Sequence, residues 1–400
     1  MELANDYDFV VLGEHPAGLW AARHFLSLDQ KVLILPLGTH SGLNALPRKV
    51  AEDFGFSTLD FVNRDEDPIQ LLIPGHRFKL GSSLDRLREE YHFHFGHDFS
   101  DHELPNSELL RGLLYVSKGS EPGPALPEDW KELAEQVLET VYFEKEPGYL
   151  TRIMMKKLAE LGAHVAKPGQ LKQIFLDRKA FVGVQLVGTS KMIAARNAFA
   201  CSHFGYLKGF MNEAVDLQSK PMGWNFDIRF ECSVDALPVG MSTRMIYIEK
   251  DAPILEIIQE RPGSFRLRTA LPLQDHALER GEERRLAERM LKVCERLIPD
   301  LEYNLKWVSP DLRDPERVEA VDLPALYPFQ DLNRIPLDRL CYGVGSALGF
   351  QCPVSGLYVV SDESSPKSGI WGGYNAVLQA LDAIAKKDQR PDFLRLSLKR

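Results

Sequence analysis

Gly13-Glu14-His15-Pro16-Ala17-Gly18 stands between an apolar run of strand length and a helical pattern, where a G-x-G-x-x-G turn would stand. Such a turn has three physical demands. The first glycine permits the tight bend, the second lets backbone approach a pyrophosphate, and the third lets helix and strand pack closely. Gly13 and Gly18 fill the first and third places. His15 fills the second, where a Cβ crowds the ground the phosphates would take, and Pro16 has no N–H to donate. Ala17 lies in the first turn of the expected helix, whose N-terminus is electropositive. An acidic residue at the end of the following strand would hold a ribose hydroxyl. Pro36 falls at that place, with no carboxylate in its immediate vicinity.

A second glycine-bearing stretch lies near the other end of the chain. Leu357-Tyr358-Val359-Val360-Ser361-Asp362 is followed by Pro366-Lys367-Ser368-Gly369-Ile370-Trp371-Gly372-Gly373. Trp371 and Tyr374 read either as core aromatics or as the lining of a substrate channel. Tyr91-His92-Phe93-His94-Phe95-Gly96-His97, with His102 nearby, alternates like a strand. That would put His92 and His94 on one face, either facing water or holding a metal whose further ligands the spacing does not supply. No zinc signature matches, so no metal is expected. Cys341 and Cys352 flank Tyr342 to Gly349, a glycine-rich stretch that reads as a tight connection or a ligand approach. The chain has no G-x-S-x-G elbow, no phosphate-binding P-loop and no second glycine fingerprint for a nicotinamide.

These residues need elements to position them. Tyr7 to Leu12 predicts a buried strand, Ala17 to Leu28 a helix, and Lys31 to Leu35 a second buried strand. Near-continuous apolar strands around a helix are what a parallel sheet covered on both faces requires. The stretch from Pro36 to Pro127 reads as irregular. Helices are expected over Glu128–Thr140 and Thr151–Leu161. Short strands follow over His164–Val165, Leu171–Phe175, Phe181–Leu186 and Lys191–Ile193, with a hairpin turn at Asp177-Arg178-Lys179. Antiparallel strands are expected over Asn225–Ser233, Thr243–Lys250, Ile254–Gln259 and Ser264–Ala270. A charged amphipathic helix follows from Ala277 to Ile298, then a strand at Gly356–Val360 and a helix from Gly373 to Lys386. The 400 residues carry 57 Asp and Glu against 48 Lys and Arg, a net charge of −9. That balance repels polyphosphate and argues against a nucleic-acid partner. No apolar run approaches the roughly 18 residues of a membrane span. Five scattered cysteines without C-x-x-C and an acidic N-terminus point to a cytoplasmic protein.

The N-terminal βαβ unit, the Thr151–Ala200 region and the Gly356–Lys386 region together resemble the FAD-dependent oxidoreductases of the amine oxidase and phytoene desaturase type. In that family a Leu-Tyr-x-x-Gly-Asp run, then Pro-x-x-Gly-x-x-Gly and a helix, closes the flavin site. Here Ser361 replaces that glycine. The resemblance implies an α/β fold: an FAD/NAD(P)-binding Rossmann-like domain with an inserted, mainly antiparallel β substrate domain. The first would comprise residues 1–80, 151–220 and 335–400, the second 81–150 and 221–334. It further implies a cofactor, FAD, held by Gly13, His15, Ala17, Gly18, Pro36, Asp362, Gly369, Ile370 and Gly372. Asp362 would accept from the ribityl or pyrophosphate region, or else cap a helix or loop. Gly369 and Gly372 would let backbone pass the isoalloxazine ring, and the helix after Gly373 would face its pyrimidine edge. The flavin would then oxidise a C–N or C–C bond of a small or apolar substrate. No side chain is assigned as acid or base, because the cofactor carries that chemistry. The competing expectation is a catalytically silent relative acting as a binding or scaffold protein, since His15, Pro16, Pro36 and Ser361 all depart from the pattern where a cofactor would touch.

Overall fold

The computed structural model describes residues 4–38, 45–57, 60–62, 64, 66–97, 107–118, 130–143, 148–202, 204–215, 219–250, 252–272, 280–309, 340–344, 352–361 and 370–396. The chain divides into two compact units, one of residues 1–62, 139–220 and 342–400 and one of residues 63–138 and 221–341.

The first unit begins as the apolar pattern demands. Strand β1 (Asp6–Leu12), helix α1 (Pro16–Leu26) and strand β2 (Val32–Leu35) form a βαβ unit, and every residue of β2 is buried. Helix α2 (Tyr149–Glu160) leads to β3 (His164–Val165), which pairs parallel with β2. The strands β4 (Leu171–Asp177), β5 (Ala180–Leu186) and β6 (Ile193–Ala200) follow as an antiparallel meander. β6 then lies parallel to β1 on one side and to β7 (Leu357–Val359) on the other. Helix α3 (Ile370–Asp388) closes the unit. The expected turn at Arg178-Lys179 is present, with both residues at positive φ, +50° and +62°. That geometry matches the right-handed twist of the flanking strands.

Two apolar layers hold this sheet. On one face, Phe9, Val11 and Phe199 pack with Trp20, Phe25, Met154, Val377, Leu381 and Ile384 from the three helices. Val10, Leu12, Ala198 and Ala200 belong to the other layer. The strand alternation of side chains is what sends β1 and β6 residues to both. Phe25 stacks on Phe9 with ring centroids 3.5 Å apart and meets Phe393 edge-on at 5.6 Å.

His24, buried on α1, hydrogen-bonds the Phe393 carbonyl through Nε2 at 3.1 Å. It thereby ties the C-terminal segment Pro391–Arg395 to the helix. Burial pushes this imidazole below its ordinary value of 6.5, against the opposing pull of the Phe393 carbonyl. The fold therefore favours the neutral ring. Its contribution is complete above the unfolded-state value and is lost as pH falls through the depressed folded one. Melting temperatures taken from about pH 7.5 down to about pH 5 are expected to fall less steeply for His24→Gln than for the wild type. Parallel slopes would remove His24 as the source.

The second unit is built on a mixed, mainly antiparallel sheet. Ser219–Cys232 pairs antiparallel with Ser264–Pro272 and with Leu305–Ser309. Ser264–Pro272 pairs with Leu255–Arg261, and that strand with Arg244–Tyr247. Arg244–Tyr247 runs parallel to Ile69–Ile73, which forms a hairpin with His76–Leu80. The helix Arg280–Leu297 lays Ala287, Met290, Val293 and Cys294 on Phe230, Ile257 and Leu267.

Four sequence expectations change. The hairpin Ile69–Leu80 pairs in the second unit's sheet, so the first segment of the first unit ends at 62 and not at 80, while 139–150 joins the first unit. Pro36–Pro127 is not uniformly irregular, since it also holds helices at Arg48–Asp53 and Ser107–Lys118. Tyr91 to Phe95 is the end of a helix, Leu84–Phe95, and not a strand. Ser83 caps its start by accepting from the Arg86 N–H at 3.2 Å, and Gly96 ends it at φ +73°. Residues two apart on a helix point in divergent directions, so His92 and His94 share no face. His94 Nε2 instead bonds the Arg77 carbonyl at 2.9 Å. Finally, the C-terminal helix starts at Ile370 and not Gly373, which draws Gly372 into its first turn.

Candidate nucleotide-binding site

The parallel register sets the site. Leu12 stands opposite both Leu35 and Ala200, and Ala200 opposite Val359. β2, β1, β6 and β7 therefore end in one row. The next residues continue it: Gly13 N–H donates to the Leu35 carbonyl (2.9 Å), Cys201 N–H to Leu12 (2.8 Å) and Val360 N–H to Ala200 (2.9 Å). In open α/β sheets a ligand lies beyond this carboxyl edge. The opening and closing segments of the chain thus meet at one place, as the glycine patterns at the two ends imply.

The first and third glycines carry the packing roles their positions call for. Gly13 sits at φ +112°, and a Cβ there would lie 2.6 Å from the Cys201 carbonyl oxygen. A Cβ at Gly18 would lie 2.1 Å from Cys201 Sγ. Helix α1 can pack on the end of β6 only because residue 18 has no side chain. Cys201 is buried, and burial, with the Glu14 charge adding to it, drives its thiol far above the ordinary range. It is an inert packing group.

The second place behaves differently. His15 is the N-cap of α1, extended at φ −62° and ψ 131°, and Pro16 is the first helical residue. His15 Nδ1 accepts from the Ala17 N–H at 3.3 Å, which makes Nδ1 the unprotonated ring nitrogen. The His15 carbonyl accepts from Gly18 (3.0 Å) and Leu19 (3.2 Å). Helix N-termini bind anions through unsatisfied amides. Here Pro16 has none, and those of Ala17 and Gly18 are given to His15. The ring itself lies against the start of α3: a Cβ at Gly373 would stand 2.6 Å from His15 Cε1.

Glu14 supplies what sequence reasoning missed. Its side chain is 1 % exposed, and Oε2 accepts from the Leu37 N–H at 2.7 Å. A carboxylate does stand at the end of β2 beside Pro36, delivered by the glycine-bearing loop and not by the strand. No spacing rule signals this, because the partner is a backbone amide.

Of the other anticipated residues, Ala17 is buried in the first turn of α1. Pro36 follows β2, and its carbonyl accepts from Gly169 N–H at 3.2 Å. Gly372 is buried within α3. Asp362 and Gly369 lie outside the described residues, as do Pro366 to Ser368. Ile370 is the first residue of α3. Trp371 and Tyr374 belong to the core: Trp371 Nε1 donates to Thr140 Oγ1 at 3.1 Å, and Tyr374 packs edge-on to Trp20 at 5.7 Å. The glycine-rich stretch after Leu340 begins as a strand, Leu340–Val344, and residues 345–351 lie outside the described set. Among the described residues no group of three or more His, Cys, Asp or Glu is arranged to hold a metal ion. No helix among them is long and apolar enough to cross a membrane.

No protein-family profile and no curated protein sequence matches the chain. Solved structures do. A geranylgeranyl bacteriochlorophyll reductase-like protein from Thermoplasma acidophilum matches with a TM-score of 0.53 at 13 % identity, over 98 % of this chain and 81 % of that one. An oxidoreductase from Methanosarcina mazei gives 0.57 at 12 % identity, over 94 % and 100 %. The myxobacterial chondrochloren halogenase CndH, described as a variant of FAD-dependent halogenases, gives 0.53 at 14 % identity, over 96 % and 76 %. At such identities the likeness is one of fold. This chain has the mixed α/β, Rossmann-type fold of the FAD-binding flavoproteins.

Proposed function

We propose that this chain is a catalytically silent relative of the flavoenzymes that share its fold, and that it works as a binding or scaffold protein without FAD. One observation carries this reading: the start of α1, where a dinucleotide's phosphates would be cradled, is already bonded to His15. An FAD pyrophosphate needs close backbone approach at the second fingerprint place and free amides behind it. The His15 Cβ removes the first and its Nδ1 takes the Ala17 amide, while Pro16 has no N–H to offer. The residues present do not fit the group. The purified protein is expected to show no absorbance near about 450 nm, where flavins absorb, and to retain no added FAD on equilibrium dialysis. Stoichiometric yellow colour in the protein as isolated would overturn the proposal.

A second reading keeps FAD and oxidises a C–N or C–C bond of a small or apolar substrate. The positive φ of Gly13 and the close approach at Gly18 favour it, as do the flavoenzymes among the structural neighbours. It requires the His15 ring to leave α3 and surrender its bond to Ala17. The same dialysis experiment decides between the two.

A further inference from the structure

We infer that Glu14 and His15 together are a built-in occupant of an adenine-dinucleotide trough, one side chain lying in each half, and that the trough beneath them is intact. This rests on the reading above and deepens it. The two residues are consecutive in the loop before α1, and their side chains reach different elements. They accordingly diverge along the row of strand ends. Glu14 runs to the end of β2 and bonds Leu37 N–H. In a dinucleotide-binding βαβ unit that ground belongs to the adenosine ribose. His15 runs the other way, across the start of α1, to Gly373 in the first turn of α3.

Burial decides what Glu14 does there. A carboxylate serving a ribose must be open to it, and this one is 1 % exposed with its partner supplied by the protein. It takes the Leu37 amide and closes the place. His15 does the same for the phosphates, its Nδ1 taking the Ala17 amide that an anion would otherwise receive. What surrounds the pair still has the glycine geometry of a binding loop. Gly13 keeps its positive φ, and Gly18 keeps α1 tight on β6. Among the described residues, Glu14 and His15 are the side chains that fill the place.

Replacing both tests this directly. Glu14→Ala with His15→Gly restores a small residue and a glycine in one step and puts glycine at all three fingerprint places. Wild type, His15→Gly and the double variant are titrated with FAD, followed by flavin fluorescence, and with NAD⁺, followed by calorimetry. The double variant is expected to bind a dinucleotide saturably and to melt higher in its presence. The two titrations show which dinucleotide it accepts. His15→Gly alone is expected to bind measurably but at least about tenfold more weakly, because Glu14 still fills the ribose end. A double variant with the wild type's circular dichroism and cooperative melt, yet no binding of either compound up to about 1 mM, overturns the inference. If loss of the Leu37 bond prevents folding of the double variant, His15→Gly carries the test, since it leaves that bond in place. A folded His15→Gly that binds neither compound at that concentration overturns the inference equally. FAD bound by the wild type would instead defeat the proposed function, so the two failures are distinguishable.

Discussion

Gly13→Ala is expected to destabilise the protein by about 3 to 5 kcal/mol, the strain of a non-glycine residue at its φ adding to overpacking. Two independent faults coincide there. The backbone stands at φ +112°, and the added carbon would meet the Cys201 carbonyl oxygen at 2.6 Å. That oxygen is main chain at the end of β6 and cannot turn aside. Gly18→Ala has a different cause and so a different remedy. Its Cβ would collide with Cys201 Sγ at 2.1 Å, at a cost of about 1 to 3 kcal/mol. Cys201→Ala removes that sulfur and is expected to recover most of the Gly18→Ala loss while recovering none of the Gly13→Ala loss. Denaturant titrations of the three single and two double variants measure this as a pair of coupling energies. Equal rescue of both glycine variants, or of neither, would mean that the loop does not pack on Cys201 as described.

The contrast explains which parts of this molecule are legible in its sequence. Tyr7 to Leu35 declares itself because buried parallel strands are apolar almost throughout. The fingerprint glycines likewise announce a backbone constraint. The turn at Arg178-Lys179 is legible from the strands around it, although neither residue favours positive φ. The helix Leu84–Phe95 is hidden because Tyr91, Phe93 and Phe95 alternate with histidines and imitate a strand. Ser83, Gly96 and the i,i+4 pair Leu87 and Tyr91, both buried, were the better signals. Pro74-Gly75, between the buried run Ile69–Ile73 and the alternating His76–Leu80, marked the missed hairpin in the same way. Glu14 had no such signal, since what fixes it is a main-chain amide that any residue at position 37 other than proline would provide. In the candidate site, sequence therefore yields the scaffold of glycines and strand ends. What fills that scaffold becomes visible only in three dimensions.

Gly373→Ala should reverse its sign according to what residue 15 is. In an ordinary helix the change stabilises, by about 0.5 to 1 kcal/mol, because glycine loses more backbone freedom on folding than alanine does. In the wild type the new methyl group would stand 2.6 Å from His15 Cε1 and 3.2 Å from Nδ1. The ring must then move and give up its bond to the Ala17 amide, a loss of about 1 kcal/mol before any repacking. A net destabilisation of about 1 to 2 kcal/mol is expected. In the His15→Gly background no ring is present, and of the three nearest atoms the Ala17 Cβ at 3.3 Å remains. There the same substitution is expected to be neutral or mildly stabilising. The resulting coupling of about 2 kcal/mol between loop and C-terminal helix is large for residues so far apart in sequence. It would arise only if the imidazole is seated where the two helix starts meet. Identical effects of Gly373→Ala in both backgrounds would place the ring elsewhere and reopen the phosphate ground that His15 is here held to fill.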